Sequence, residues 1–296
     1  MPLVGLDILK DARKRRYGIL SLLAGNLEMA IGYLRAAEEQ KAPVILAFTP
    51  PMVPCVPVEL GIPMLVNAAR RAAVPVSVIL DHGDSLETAV RAMQLGAPAV
   101  MYDGFSLPYA ENVANTCQVV RVAHALGVSV EAELGSVGGN AVETGRPGGG
   151  RANADPQGTT FTDPEVAADF VACTGVDALA ISFGNAHGVY QGEPWLDLER
   201  VRRIRAAVDV PLVMHGASGL PFDLYPKLVE SGISKVCYYS ALGLGAGADL
   251  RQVVVRAGTE PVAYHHLISW AVEYFCTATK QLMDVVGCTG AAAATS

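Results

Sequence analysis

The chain has 296 residues, 51% of them hydrophobic and 17% charged, with a formal net charge of −7. That balance excludes a disordered chain and supplies a large buried core, in one large domain or two ordinary ones. The acidic balance also argues against a nucleic-acid partner, since the one basic cluster, Arg13-Lys14-Arg15-Arg16, reads as a solvated helix end.

The opening stretch, "MPLVGLDILKDARKRR", interleaves charge with apolar residues and does not read as a signal peptide. No apolar run reaches the roughly 18 residues of a membrane span. Six cysteines without CxxC spacing fit a reduced, cytoplasmic protein. Short apolar runs then recur in chain order: "YGILSLLA" (17–24), "PVILAFT" (43–49), "VSVILD" (76–81) and "AVMYDG" (99–104), followed by "SVEAEL" (129–134), "ALAISFGN" (178–185), "PLVMHG" (211–216) and "KVCYYS" (235–240). Most begin some 25–35 residues after the last, about one βα unit.

The segments between carry helix signals. "DSLETAVRAMQLG" offers Asp84 or Ser85 as N-cap, Glu87 for a capping box and Gly96 as a stop. "TDPEVAADFVACTG" repeats the device, with Thr162 three residues before Glu165 and Gly175 at the end. Eight strands alternating with helices predict an α/β fold, a single TIM (β/α)8 barrel over residues 1–290, with a disordered tail at 291–296. The exceptional step is the Gly-rich stretch 135–160, either a disordered insertion or a mobile lid leaving a strand end.

Active sites of such barrels gather at the C-terminal strand ends. Strand three ends in Asp81-His82-Gly83, strand six runs into His187-Gly188, and strand seven ends in His215-Gly216. Three imidazoles on one rim suit Zn2+: three protein ligands and an open position. The other histidines, His124, His265 and His266, fall in helical patterns and read as structural or surface residues. Asp81 reads as a proton donor and acceptor beside a Lewis acid, or as a group that orients a histidine. Glu133 reads as a further ligand, a balancing charge or an inward structural carboxylate. "HGASG" (215–219) reads as an anion cradle or a tight turn, with Lys235 the one nearby cation for a phosphate.

"LDHG", "EAELG", "AHGVY" and "HGASG" together resemble the class II fructose-bisphosphate aldolase family and its tagatose-bisphosphate branch, over about residues 5–290. The resemblance implies a zinc-dependent lyase that reversibly cleaves a ketose bisphosphate to dihydroxyacetone phosphate and an aldehyde. It implies His82, His187 and His215 as zinc ligands, with Glu133 an alternative ligand and Asp81 the acid/base at the aldehyde-derived oxygen. Gly188, Gly216 and Ser218 would hold the donor's phosphate, partly around a monovalent cation such as Na+ or K+. The Gly-rich loop would be the catalytic loop, with Glu143 as proton-abstracting base. A homodimer or homotetramer is also implied, for which "YHHLISWAVEYF" is a candidate contact.

The departures fall on donor recognition. Where the family shows K-V-N-x-[DA]-T-[DE]-L on strand eight, this chain reads "KVCYYSAL", placing Cys237 at the asparagine and Ser240 at the threonine that face the donor. The family's "FNxNN" reads "LLAGN", keeping Asn26 alone. A changed donor is therefore weighed beside dihydroxyacetone phosphate. A metal-dependent sugar-phosphate isomerase or epimerase, and a non-catalytic sugar-phosphate binder, are the other classes.

Overall fold

The eight strands are almost wholly aliphatic because each is covered on both faces, by helices outside and by the facing strands within. A computed structural model describes residues 3–137, 149–150, 161–190 and 192–295. In it, β1 (Ile19–Leu23), β2 (Val44–Phe48), β3 (Val76–Gly83), β4 (Ala99–Tyr102), β5 (Ser129–Leu134), β6 (Ala178–Ile181), β7 (Leu212–Met214) and β8 (Ile233–Tyr238) form a closed barrel. Each pairs in parallel with its sequence neighbours, and β8 closes on β1 with Ile19 opposite Lys235 and Leu22 opposite Tyr238. The expected TIM barrel is the fold.

The surrounding helices are α1 (Ile8–Arg15), α2 (Leu27–Glu39), α3 (Val58–Ala69), α4 (Leu86–Gln94), α5 (Tyr109–Ala125) and α6 (Pro164–Thr174), then α7 (Leu198–Ala207), α8 (Leu224–Ser231), α9 (Ser240–Ala257) and α10 (Tyr264–Val285). Of the expected caps, that of α4 falls to Ser85, one of its two candidates, and that of α6 moves from Thr162 to Asp163. Ser85 caps α4 by accepting from the Thr88 N–H, and Asp163 caps α6 through the N–H groups of Glu165 and Val166. Thr162 instead ties the loops together, accepting from Ser182 N–H and donating to the Leu134 carbonyl.

Three further readings need correction. Arg13 is not a solvated helix end: its guanidinium donates to the carbonyls of Arg205, Val208 and Val210 around the end of α7. That satisfies carbonyls which a helix terminus leaves unpaired. The tail is not disordered at its start, because Ala291–Thr295 form a 3-10 turn with Ala291 buried and Gly290 N–H bonded to the Gln40 carbonyl. Part of "YHHLISWAVEYF" is spent within the chain, since Phe275 and Cys276 of α10 are buried against α2. There a Cβ on Gly32 would lie 2.8 Å from the Val272 carbonyl oxygen, so the close helix contact requires glycine.

No described helix is long and apolar enough to cross a membrane.

Candidate metal and substrate site

Backbone geometry at the end of β3 answers why an acid, an imidazole and a glycine stand together there. Neighbouring residues of a strand face opposite sides. His82, however, has φ +55°, and the pairing of β3 with β4 shifts register between Leu80 and Gly83. This local irregularity brings both Asp81 and His82 to the barrel mouth. Gly83 follows because a Cβ there would sit 2.7 Å from the Met101 carbonyl oxygen.

The mouth is a cavity of about 540 Å³, open side included, and Asp81, His82, His187 and His215 line it. Ring centroids lie 5.2 Å apart for His82 and His187, 4.7 Å for His82 and His215, and 5.7 Å for His187 and His215. One nitrogen from each ring lies within 4.8 Å of the other two. Ligands at tetrahedral zinc distances are about 3.4 Å apart, so small side-chain shifts close this set on one ion. The donor chemistry fits as well. His187 Nε2 is buried with no protein partner, and burial beside His82 and His215 holds that ring's pKa down at about 3. A neutral imidazole with an unshared nitrogen is what a metal takes.

Carboxylates fix the other two rings. His82 Nδ1 is 2.6 Å from Asp103 Oδ2, and His215 Nε2 is 3.1 Å from Glu131 Oε1. Burial opposes charge on His82, but Asp81 and Asp103 outweigh it and raise its pKa. His215 is raised too, burial being outweighed by Cys237, Glu131 and Asp81. Glu131 also accepts from Lys235 Nζ at 2.9 and 2.7 Å, with both side chains wholly buried. Since β5 and β8 are not neighbours in the barrel, this pair spans its interior. Burial alone would raise the Glu131 pKa, yet Lys235 and His215 pull it down. Lys235 is therefore committed to Glu131 and is not the phosphate clamp it suggested from sequence.

Asp81 accepts from the Thr49 hydroxyl at 2.9 Å through Oδ2, while its Oδ1 is buried and unpartnered. Burial favours its neutral form, but the facing charges of His82, His215 and Lys235 prevail and hold its pKa well below the usual carboxylate range. Glu133 stands behind His82 rather than in the open mouth, grouped with Asp103 and His82. Burial pushes its pKa up to about 7, against the pull of His215.

Gly188, Gly216, Ser218, Cys237 and Ser240 all line the same cavity. Gly216 has φ +68°, and a Cβ there would collide with the Ala186 carbonyl. Ser218 Oγ accepts the Tyr239 N–H at 2.9 Å, and Ser240 begins α9. Glu143 lies outside the described residues. Asp103, Thr49 and the Glu131–Lys235 pair were missed from sequence. Asp103 had a signal, since it follows β4 as Asp81 ends β3; so did Glu131, two residues before Glu133 and therefore on the same strand face.

His124 of α5, by contrast, meets Asp177 in the turn before β6, and His265 and His266 meet edge to face at the exposed start of α10.

A closed eight-stranded parallel barrel with a convergent histidine trio at its C-terminal mouth defines a metal-site TIM-barrel protein. Residues 5–291 match the model of the family "Fructose-bisphosphate aldolase class-II". YdjI of Escherichia coli (strain K12) is 40% identical over 232 residues, 78% of this chain and 80% of its own. A fructose-bisphosphate aldolase of Thermus caldophilus is 39% identical over 234 residues, 78% of this chain and 74% of that one. The crystal structure of the YdjI aldolase superposes with a TM-score of 0.84 at 33% identity, covering 98% of this chain and 99% of that one. The chain belongs to the class II fructose-bisphosphate aldolase family, and membership implies a divalent metal.

Proposed function

We propose that the protein is a zinc-dependent aldehyde-lyase that reversibly cleaves a phosphorylated ketose into a three-carbon donor and an aldehyde. The observation that carries this reading is the trio of His82, His187 and His215 beside Asp81 in one cavity of a family member. The three histidines would hold the ion, with Glu133 at its back as an alternative ligand. A divalent ion bound there supplies Lewis-acid stabilisation of the charge that develops on the donor's oxygens.

The chain's own residues do the rest. Asp103 and Glu131 fix the rings of His82 and His215, and the Cys237 thiol also meets the His215 ring, which would exchange that contact for the ion. Asp81, oriented by Thr49, moves the proton at the aldehyde-derived oxygen through its unpartnered Oδ1. Ser218 receives the Tyr239 N–H and keeps its own proton to donate to a phosphate, beside the backbone of Gly188, Gly216 and Ser240. A monovalent cation would share that phosphate. Glu143 is the candidate for the proton taken from the donor carbon.

A second reading, a changed donor, is favoured by the thiol of Cys237 and the ring of Tyr239 in the cavity wall. A thiol is a weak hydrogen-bond donor where a hydroxyl-bearing donor wants a strong one.

The test pairs metal analysis with aldehyde release from a panel of ketose phosphates. The wild-type protein should bind one zinc per chain and release aldehyde, and His187→Ala should lose both. Full zinc content in His187→Ala would refute the ligand set. Rearranged ketose without released aldehyde would point to an isomerase.

A further inference from the structure

The cavity has two chemically different halves. Backbone and hydroxyl groups of Gly216, Ser218 and Ser240 gather on the β7–β8 side. The β1–β2 side is aliphatic, built from Leu23, Ala47 and Met52. Strand register sets that wall against Asp81: Leu23 pairs with Ala47, and Ala47 pairs with Ile79, two residues before Asp81. Leu23 is 6% exposed and Ala47 3%, so both are fixed parts of the wall rather than mobile rim groups.

Among the described residues, the polar groups near this wall are engaged or lie deeper. The Thr49 hydroxyl donates to Asp81. Ser21, whose buried Oγ has no partner, lies one inward position below Leu23, opposite Cys237 at the floor of the cavity. Lys235 is held by both oxygens of Glu131.

On the aldolase reading, Asp81 serves the oxygen of the aldehyde, which sets the aldehyde beside this wall. We infer that this aldehyde carries an uncharged, aliphatic substituent that packs on Leu23, Ala47 and Met52. In the condensation direction a general base takes the donor carbon's proton, and the electron pair left on that carbon forms the new bond to the aldehyde carbon. The aldehyde's C=O π bond breaks, and its oxygen takes a proton that Asp81 relays from water. A phosphate laid against methyl and methylene groups would lose its hydration and gain no donor there. An alkyl chain gains by leaving water, about fourfold in kcat/KM for each methylene buried.

The inference rests on the aldolase reading, and the experiment separates the two. Zinc-loaded full-length protein is given dihydroxyacetone phosphate or dihydroxyacetone as donor, with ethanal, propanal, butanal or D-glyceraldehyde 3-phosphate as acceptor. The expected result is a rise of about fourfold in kcat/KM per methylene from ethanal to butanal. Butanal should exceed D-glyceraldehyde 3-phosphate at least tenfold. Met52→Lys, at the half-buried end of the 3-10 turn Pro50–Met52, should flatten the alkyl series and favour the phosphorylated acceptor. Independently of turnover, butyramide should show saturation transfer from the protein strongest at its methyl group, and weaker with Met52→Lys. A flat alkyl series with D-glyceraldehyde 3-phosphate preferred overturns the inference and leaves the aldolase reading standing. Absence of saturation transfer to the butyramide methyl also overturns it. Absence of condensation with every pair removes the reading of an aldolase with a dihydroxyacetone-type donor, and this inference with it.

Discussion

Replacing Lys235 by methionine tests how the barrel interior supports the metal mouth. The ammonium gives two hydrogen bonds to Glu131, at 2.9 and 2.7 Å, and neither side chain is exposed. Methionine keeps most of the volume but leaves Glu131 a buried carboxylate with His215 as its remaining partner at 3.1 Å. Breaking one side of such a buried pair costs about 3–5 kcal/mol, because the other charge stays unsolvated. For a domain of this size that corresponds to a fall in Tm on the order of 10 °C. The double variant Lys235→Met with Glu131→Gln removes both charges and should recover about 2 kcal/mol or more of the loss. Freed from Lys235, Glu131 also draws His215 more strongly as a cation, which competes with metal binding. Zinc affinity in the single variant should therefore fall roughly 10- to 100-fold. Thermal unfolding followed by circular dichroism in excess chelator measures the first effect, and competition with a zinc indicator measures the second. A single variant melting within about 2 °C of wild type would refute the argument, since that is the effect of an ordinary surface change.

Asp81→Asn should keep zinc and fold normally while slowing aldehyde release at least about 100-fold, as measured by coupled dehydrogenase assay. Gly216→Ala forces a side chain into a backbone at φ +68° and against the Ala186 carbonyl, so it should cost about 2 kcal/mol or more and abolish phosphate binding, read by unfolding and by titration with inorganic phosphate. In metal-free protein, His187 stays neutral down to a pKa of about 3, whereas an unfolded histidine takes its proton near pH 6.5. The unfolded state then binds the extra proton, so stability present above pH 6.5 is lost as pH falls toward 3. Wild type should lose stability more steeply than His187→Gln by roughly 1.4 kcal/mol per pH unit between pH 6 and 4, measured by urea unfolding.

The barrel was legible because closure and burial write themselves into composition: eight aliphatic runs at βα spacing have few other ways to hide both faces. The histidine trio was legible as a set rather than singly, since three His-Gly pairs fall at or just past the ends of apolar runs on one rim, and the three rings line one cavity. What local pattern does not carry is contact across the barrel. Lys235 lies 104 residues from Glu131, and from sequence its position beside a small-residue loop suggested a phosphate instead. Arg13 misled in the same way, its role depending on carbonyls at residues 205–210 far along the chain. The cap of α4 went to Ser85 rather than Asp84 by a one-residue choice that the hydrogen bond to Thr88 decides.

Asp103 shows how these two kinds of information meet. Its backbone N–H donates to the Gly83 carbonyl at 2.8 Å, and its carboxylate meets His82 Nδ1 at 2.6 Å. One residue at the end of β4 thus grips the irregular end of β3 at two points. His82 holds a left-handed backbone, φ +55°, that costs a non-glycine residue about 1–3 kcal/mol. Such a conformation persists only where its surroundings fix it, and the double contact from Asp103 does so. The strain in turn serves the site, because a regular strand would send Asp81 and His82 to opposite faces. Asp81 and the first imidazole can therefore share a mouth because a third residue, just past the neighbouring strand, holds the backbone between them out of its preferred shape.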